Sequence, residues 1–241
     1  MRPRASTAHA RPARHPRPSR RSLGFLGWLG LMAVVAHGAD TDALLDRWCA
    51  AQTNLKSWSA DVRQTRSLKV LAQPLVSTGR VWVAVPDRFR LEMGQPAITI
   101  ALRQPDHLWL IYPRLKRAEK YPLNGTQAGP WKDALALLEA SFPRSRADLE
   151  SRFQVRAISQ GESLVELTLA PKSQAARKFM TEIQVSLSPN DFAPRATELR
   201  FSDGSRMRSE FTHPLVNPPL ASDLFTVSLP PDFVVVEPLR P

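Results

Sequence analysis

Hydrophobic and polar positions alternate with a period of two along most of this chain, after a short opening stretch whose period is helical. Leu44, Trp48, Ala51 and Leu55 recur at spacings of four, three and four, the stripe of an amphipathic helix that Asp40 or Thr41 can cap. One face of that helix must dock on something. From Ser57 the period changes. Trp58, Ala60 and Val62 alternate with polar residues, and Val81, Val83 and Val85 alternate with Trp82 and Ala84. Further strands are predicted over 88–93, 97–103, 107–112 and 115–121, separated by Pro86-Asp87, Gly94-Gln95-Pro96, Gln104-Pro105-Asp106 and Pro113. This is an antiparallel meander.

Between Asn124 and Arg152 the pattern reverts to helix. Trp131, Ala134, Leu135 and Leu138 form one face, Pro143 ends it, and the Gly- and Pro-rich entry makes it hinged. Strands then resume over 153–159, 164–169, 181–187, 196–201 and 206–211, with a last extended piece over 233–236. Asn190-Asp191 and Asp203-Gly204 supply turns. About eleven strands, two helical segments and no βαβ rhythm predict a mainly β fold. The expected form is a strongly curved antiparallel sheet, as a half-open barrel or a very large sandwich, whose open face helices must cover. Such a sheet has more inner surface than its own side chains fill, so an apolar cavity is expected.

Composition excludes several alternatives. At 241 residues, 43% hydrophobic and 23% charged, the chain is neither a short disulfide scaffold nor bulk disorder. Its net charge of +11 would point to nucleic acid or an anionic surface, but the excess is local. Residues 1–38 hold seven arginines and no acid, leaving 26 basic against 22 acidic side chains in the remainder. Those arginines precede an apolar run over 23–36, too short for a stable anchor and right for a signal-peptide core. Ala36-His37-Gly38 offers small residues for cleavage after Gly38 or Ala39. Residues 1–38 are therefore expected to be a cleaved export signal and 39–241 a single domain. Arg20-Arg21 resembles a twin-arginine signal, although the general secretory route is the expectation.

Little in the chain carries covalent chemistry. Cys49, the sole cysteine, excludes an internal disulfide and a cysteine zinc site, and its helical setting favours a small buried apolar role. Only His107 and His213 remain beyond residue 38, far apart, so no metal and no cofactor are expected. No Gly-x-Ser-x-Gly, glycine-rich phosphate loop or paired-acid setting occurs. Glu92, Glu119, Asp133 and Glu162 read as solvated carboxylates. The basic stretch 114–120 could bind a nucleic acid or an acidic partner surface and reads more simply as a solvated strand-turn face. The apolar residues Val81, Val83, Val85, Phe89, Leu91, Met93, Ile98, Ile100, Leu102, Leu108 and Leu110 are expected to line one sheet face opposite Trp131, Leu135 and Leu138. Spacing alone does not separate plain core from a ligand pocket.

Three segments decide for a pocket. Residues 57–64 (SWSADVRQ), 79–90 (GRVWVAVPDRFR) and 107–113 (HLWLIYP), in that order and spacing, resemble the periplasmic outer-membrane lipoprotein carriers, LolA and its relatives. The likeness continues through 167–172 (LTLAPK) and 225–233 (FTVSLPPDF). It implies a half-open barrel of about eleven strands, closed by a helical lid over an apolar cavity that holds acyl chains. Phe89, Leu91 and Met93 fall where such carriers place cavity-facing residues. One departure matters: the family has an arginine before the proline of Trp-Val-x-x-Pro, and here Val85 stands there. Either another arginine, such as Arg63 or Arg88, couples the lid, or apolar contact alone holds it. The resemblance implies a monomeric, non-enzymatic periplasmic carrier of acylated lipoproteins or lipids. It would touch inner-membrane donor and outer-membrane acceptor proteins transiently and bind no nucleic acid. A lipid-sensing regulatory module of the same fold is the alternative, and a lipid-acting enzyme the weakest option.

Overall fold

The computed structural model describes residues 37–123 and 140–238. Its first strands form the expected meander: β1 (Ser57–Ser67), β2 (Leu75–Ala84), β3 (Arg88–Met93), β4 (Thr99–Arg103), β5 (His107–Tyr112) and β6 (Arg117–Pro122). The second half supplies β7 (Phe153–Gln160), β8 (Val165–Pro171), β9 (Met180–Leu187), β10 (Pro194–Phe201), β11 (Arg206–Val216) and the short β12 (Val234–Val236). All join one sheet in the order β12-β6-β5-β4-β3-β2-β1-β11-β10-β9-β8-β7. The described residues include the α-helices α1 (His37–Gln52), α2 (Arg146–Arg152) and α3 (Gln174–Arg177).

The sheet corrects the sequence reading in three respects. Among the described residues it has twelve strands in one continuous sheet rather than the two separate sheets of a sandwich. It is mixed, because β12 runs parallel to β6 through Val234–Arg117 and Val236–Glu119 pairs. It is not closed, since β12 and β7 end the order without pairing to each other. The two halves meet where β1 pairs β11, Val62 opposite Phe211 and Gln64 opposite Ser209. That contact joins residues about 150 positions apart, which no local pattern encodes.

Local chemistry explains the turns. At the predicted Asp203-Gly204 turn, Gly204 takes φ 85° and the Ser205 amide donates to Asp203 Oδ1 at 2.8 Å. Asp191 Oδ1 likewise accepts from the Ala193 amide at 3.1 Å. Gly79 answers a different need. A Cβ there would lie 1.9 Å from the Glu92 carbonyl oxygen, so only glycine lets β2 and β3 approach this closely.

The inner face of the sheet is filled unevenly. Helix α1 already covers His37, upstream of the predicted cap. It lays Leu44, Leu45, Trp48 and Cys49 on the half-sheet β7 to β10, against Val165, Leu167, Leu169, Ile183, Val185, Leu187 and Leu199. Trp48 is fully buried. Leu55, predicted on the same stripe, lies past the helix end and packs instead on the other cluster, around Trp58. Arg146 anchors α2 to α1, with Nη2 donating to Asp42 at 2.6 Å, Nη1 to Asp46 at 3.0 Å and Nε to Glu150 at 2.8 Å. Ser145 caps α2 by accepting from the Asp148 amide.

Cys49 sits inside this packing, and burial, with the nearby Asp46 carboxylate second, pushes its thiol up to about 11. Since the thiolate is the nucleophile, alkylation at pH 8 is expected to be on the order of a hundredfold slower than for an exposed cysteine. Iodoacetamide kinetics with and without denaturant check this. Equal rates in both conditions would contradict the buried placement.

The C-terminal segment runs over the outer face of β3 and β4. Asn217 fixes its start, accepting from the Lys56 amide at 2.7 Å and the Ser57 amide at 3.2 Å. Further on, Arg90 Nη1 donates to the Leu224 carbonyl and Gln104 Nε2 to the Phe225 carbonyl, both at 3.2 Å. Phe225 is buried there.

Candidate functional site

Where α1 stops, the inner face remains open as a cavity of about 480 Å³. Its walls come from both halves of the chain: Trp58, Val62, Gln64 and Arg66 on β1, Leu75, Val76, Ser77 and Val81 on β2, Phe89, Leu91 and Met93 on β3, and Thr197, Met207, Ser209 and Phe211 on β10 and β11. Alternation along each strand puts all of these but Val76 on one face, and antiparallel pairing aligns them: Val81 faces Leu91 and Gly79 faces Met93. Trp58 packs edge-on to Phe211 at 5.2 Å and tilted to Phe142 at 5.3 Å. Leu75, Val76 and Ile98 form a rim that is about half exposed, at 52%, 48% and 46%. Polar groups are few. Gln64 Nε2 donates to Ser209 Oγ at 3.4 Å, and Thr197 Oγ1 is buried without a hydrogen-bond partner.

The predicted residues separate into three groups. Val81, Phe89, Leu91, Met93 and Ile98 line the cavity. Val83 and Val85 line an adjoining hollow, while Leu108 and Leu110 are packed into the cluster beneath, with Trp58, Ala101 and Tyr121. Ile100 and Leu102 do not share this face. Leu91 pairs with Ala101 and Met93 with Thr99, so Ala101, Thr99 and Arg103 face inward, whereas Ile100 and Leu102 point outward with Glu92 and Arg90. Leu102 is fully buried on that outer side. The expectation of a single apolar face is corrected there: β4 turns its large apolar side chains to the outer side, where the C-terminal segment lies, and presents Thr99, Ala101 and Arg103 inward. Trp131, Leu135 and Leu138, the expected lid residues, lie outside the described residues.

The two candidate coupling arginines diverge as well. Arg63 is exposed on the outer face of β1, in register with Thr78 and Glu210. Arg88 lines the same hollow as Val85, so a guanidinium stands beside the position that lacks one. The basic stretch 114–120 is partly engaged within the fold. Lys116 Nζ meets Asp232 at 2.7 Å, Arg117 meets Glu119 at 2.9 Å, and Lys120 lies over the Trp109 ring. Nearby, burial and then the hydrogen bond from its hydroxyl to Glu119 Oε2 push the Tyr121 phenol upward, so it stays protonated.

Sequence reasoning missed Phe142, Met207, Ser209 and Phe211. The alternation of the last three was visible, but nothing local placed β11 against β1. Among the described residues no helix is long and apolar enough to cross a membrane, and no group of three histidine, cysteine or acidic side chains could hold a metal ion.

A family model described as outer membrane lipoprotein carrier protein LolA matches residues 53–228, well over half of the chain. No curated protein matches at the sequence level. Similar solved structures include a conserved protein from Thermus thermophilus, at 13% identity over 82% of this chain and 99% of that one, TM-score 0.48. A LolA superfamily protein from Nitrosomonas europaea is 10% identical over 78% and 97% of the two chains, TM-score 0.40. The Pseudomonas aeruginosa MucA/MucB complex matches at 17% identity over 78% of this chain and 61% of that one, TM-score 0.44. At these scores the family match alone carries the assignment.

Proposed function

This chain belongs to the LolA family of outer membrane lipoprotein carriers, and from that premise we propose that it shields the acyl chains of lipoproteins or related lipids as they cross the periplasm from inner to outer membrane. The observation that carries this reading is the apolar cavity of about 480 Å³, open at a greasy rim, beside a half-sheet that α1 has packed solid. Its volume lies within the range of roughly 300–1,000 Å³ common to small-ligand sites. Each buried methylene contributes about 0.8 kcal/mol, so a long acyl chain costs on the order of 10 kcal/mol to expose to water. A carrier removes that cost without any covalent step.

In this reading residues 1–38 are the export signal and 39–241 the monomeric carrier domain. The open sheet works as a half-open barrel, and Trp131, Leu135 and Leu138 are the lid that packs on it when empty and moves aside for cargo. Donor and acceptor proteins at the two membranes meet it transiently. Selectivity among acyl species is weak, because apolar surface is non-directional.

Native mass spectrometry of the protein purified from its own periplasm tests the proposal. Acylated cargo should appear bound and leave on mild activation. Recovery of cargo-free protein alone, across several growth conditions, would overturn it.

A further inference from the structure

A second hollow, of about 250 Å³, adjoins the apolar cavity and shares Phe89 and Phe142 with it as walls. Its chemistry is the opposite. Arg88, Arg103, Arg144 and Arg152 line it, together with Asp87 and Asp148. Among the described residues that line it, four guanidiniums face two carboxylates, and Arg103 and Arg152 have partners within the fold. Asp148 is already committed within the fold, to the Arg152 guanidinium and to the Arg144 amide, which donates at 3.2 Å. The side chains of Arg88 and Arg144 form no ion pair among the described residues. Val83, Val85, Phe89 and Phe142 complete the wall and exclude part of the water that would screen these charges.

Arginine stays protonated at any accessible pH, and its planar fork matches an oxyanion. We propose that this hollow binds the oxyanion head, phosphate or carboxylate, of an amphiphile whose chain lies beyond Phe89 and Phe142 in the apolar cavity. The inference rests on the carrier reading and extends it by naming the charge of the head. An aliphatic chain is held by area alone, whereas a head held at one end fixes which end leads.

Calorimetric titration of the purified protein at low ionic strength with dodecyl phosphate, dodecanol and inorganic phosphate tests it. Dodecyl phosphate should bind about 10- to 100-fold tighter than dodecanol, the value of a charge-assisted pair. Added salt should narrow the gap. In the R88Q/R144Q variant, whose replaced side chains sit at the solvent-facing edge, the ratio of the two affinities should fall toward one. Equal affinities in the unaltered protein, or a ratio that survives in the variant, would overturn the proposal. So would inorganic phosphate binding as tightly as dodecyl phosphate, which would make the hollow a free-phosphate site. Competition by inorganic phosphate against dodecyl phosphate but not dodecanol would support it. Loss of dodecanol binding altogether would instead count against the carrier reading, so the two failures are distinguishable.

Discussion

Replacing Leu91 with glutamate is expected to abolish uptake of a fluorescent long-chain fatty acid, weakening binding by on the order of a hundredfold or more. Leu91 faces the cavity from the middle of β3, opposite Val81 and Ala101, and is half-buried. A carboxylate there keeps its water while the cavity is vacant, so the sheet should still fold with a melting temperature near that of the parent. Once an acyl chain fills the space, the charge loses its hydration without gaining a partner, at a cost of several kcal/mol. Fluorescence titration beside a thermal melt separates the two effects. Ile100→Thr, on the outer face of the neighbouring strand, should leave uptake little changed, although sequence alone places it beside Leu91. Unaltered uptake by the Leu91 variant would move the ligand out of this cavity.

Trp48→Ala is expected to cost about 3–5 kcal/mol of folding stability, the usual range for truncating a fully buried aromatic side chain. Trp48 is the largest side chain that α1 contributes to the half-sheet β7 to β10, and it has no exposed surface. Its removal leaves a void between a helix and a sheet that are each fixed by other contacts, so collapse is only partial. Trp48→Phe should cost much less. The indole Nε1 is enclosed without a hydrogen-bond partner, and phenylalanine removes that unsatisfied donor along with the volume. Urea denaturation of the two variants checks the order; a phenylalanine variant as unstable as the alanine one would contradict it. Acyl binding by the folded fraction of Trp48→Ala should persist, because α1 and the cavity occupy different stretches of the inner face.

That division of the inner face explains why the site was only half legible. The period-two alternation of Val81, Phe89, Leu91 and Met93 marks an inward row, and the structure keeps it. The same rule failed at Ile100 and Leu102. The segment through Leu224 and Phe225 covers the outer side of β3 and β4, so β4 turns Ile100 and Leu102 outward and Thr99, Ala101 and Arg103 inward, and its parity is the reverse of the one the apolar pattern suggests. The helix stripe of Leu44 and Trp48 was equally plain, yet its destination was not. Nothing within a helix states which half of a sheet it will cover.

The sequence by itself determined the strands and α1, most of the turns between them, the local character of the positive charge and a family likeness that the family model bears out. Periodicity, proline and glycine placement and charge spacing act over a few residues and can be read there. Only the tertiary structure decided that β1 meets β11, that α1 packs one half-sheet while a cavity opens on the other, and that Arg88, Arg103, Arg144 and Arg152 gather beside Val85. Those arrangements join residues tens to more than a hundred positions apart. They are selected by total packing and burial, quantities that belong to the assembled sheet and to no segment of it.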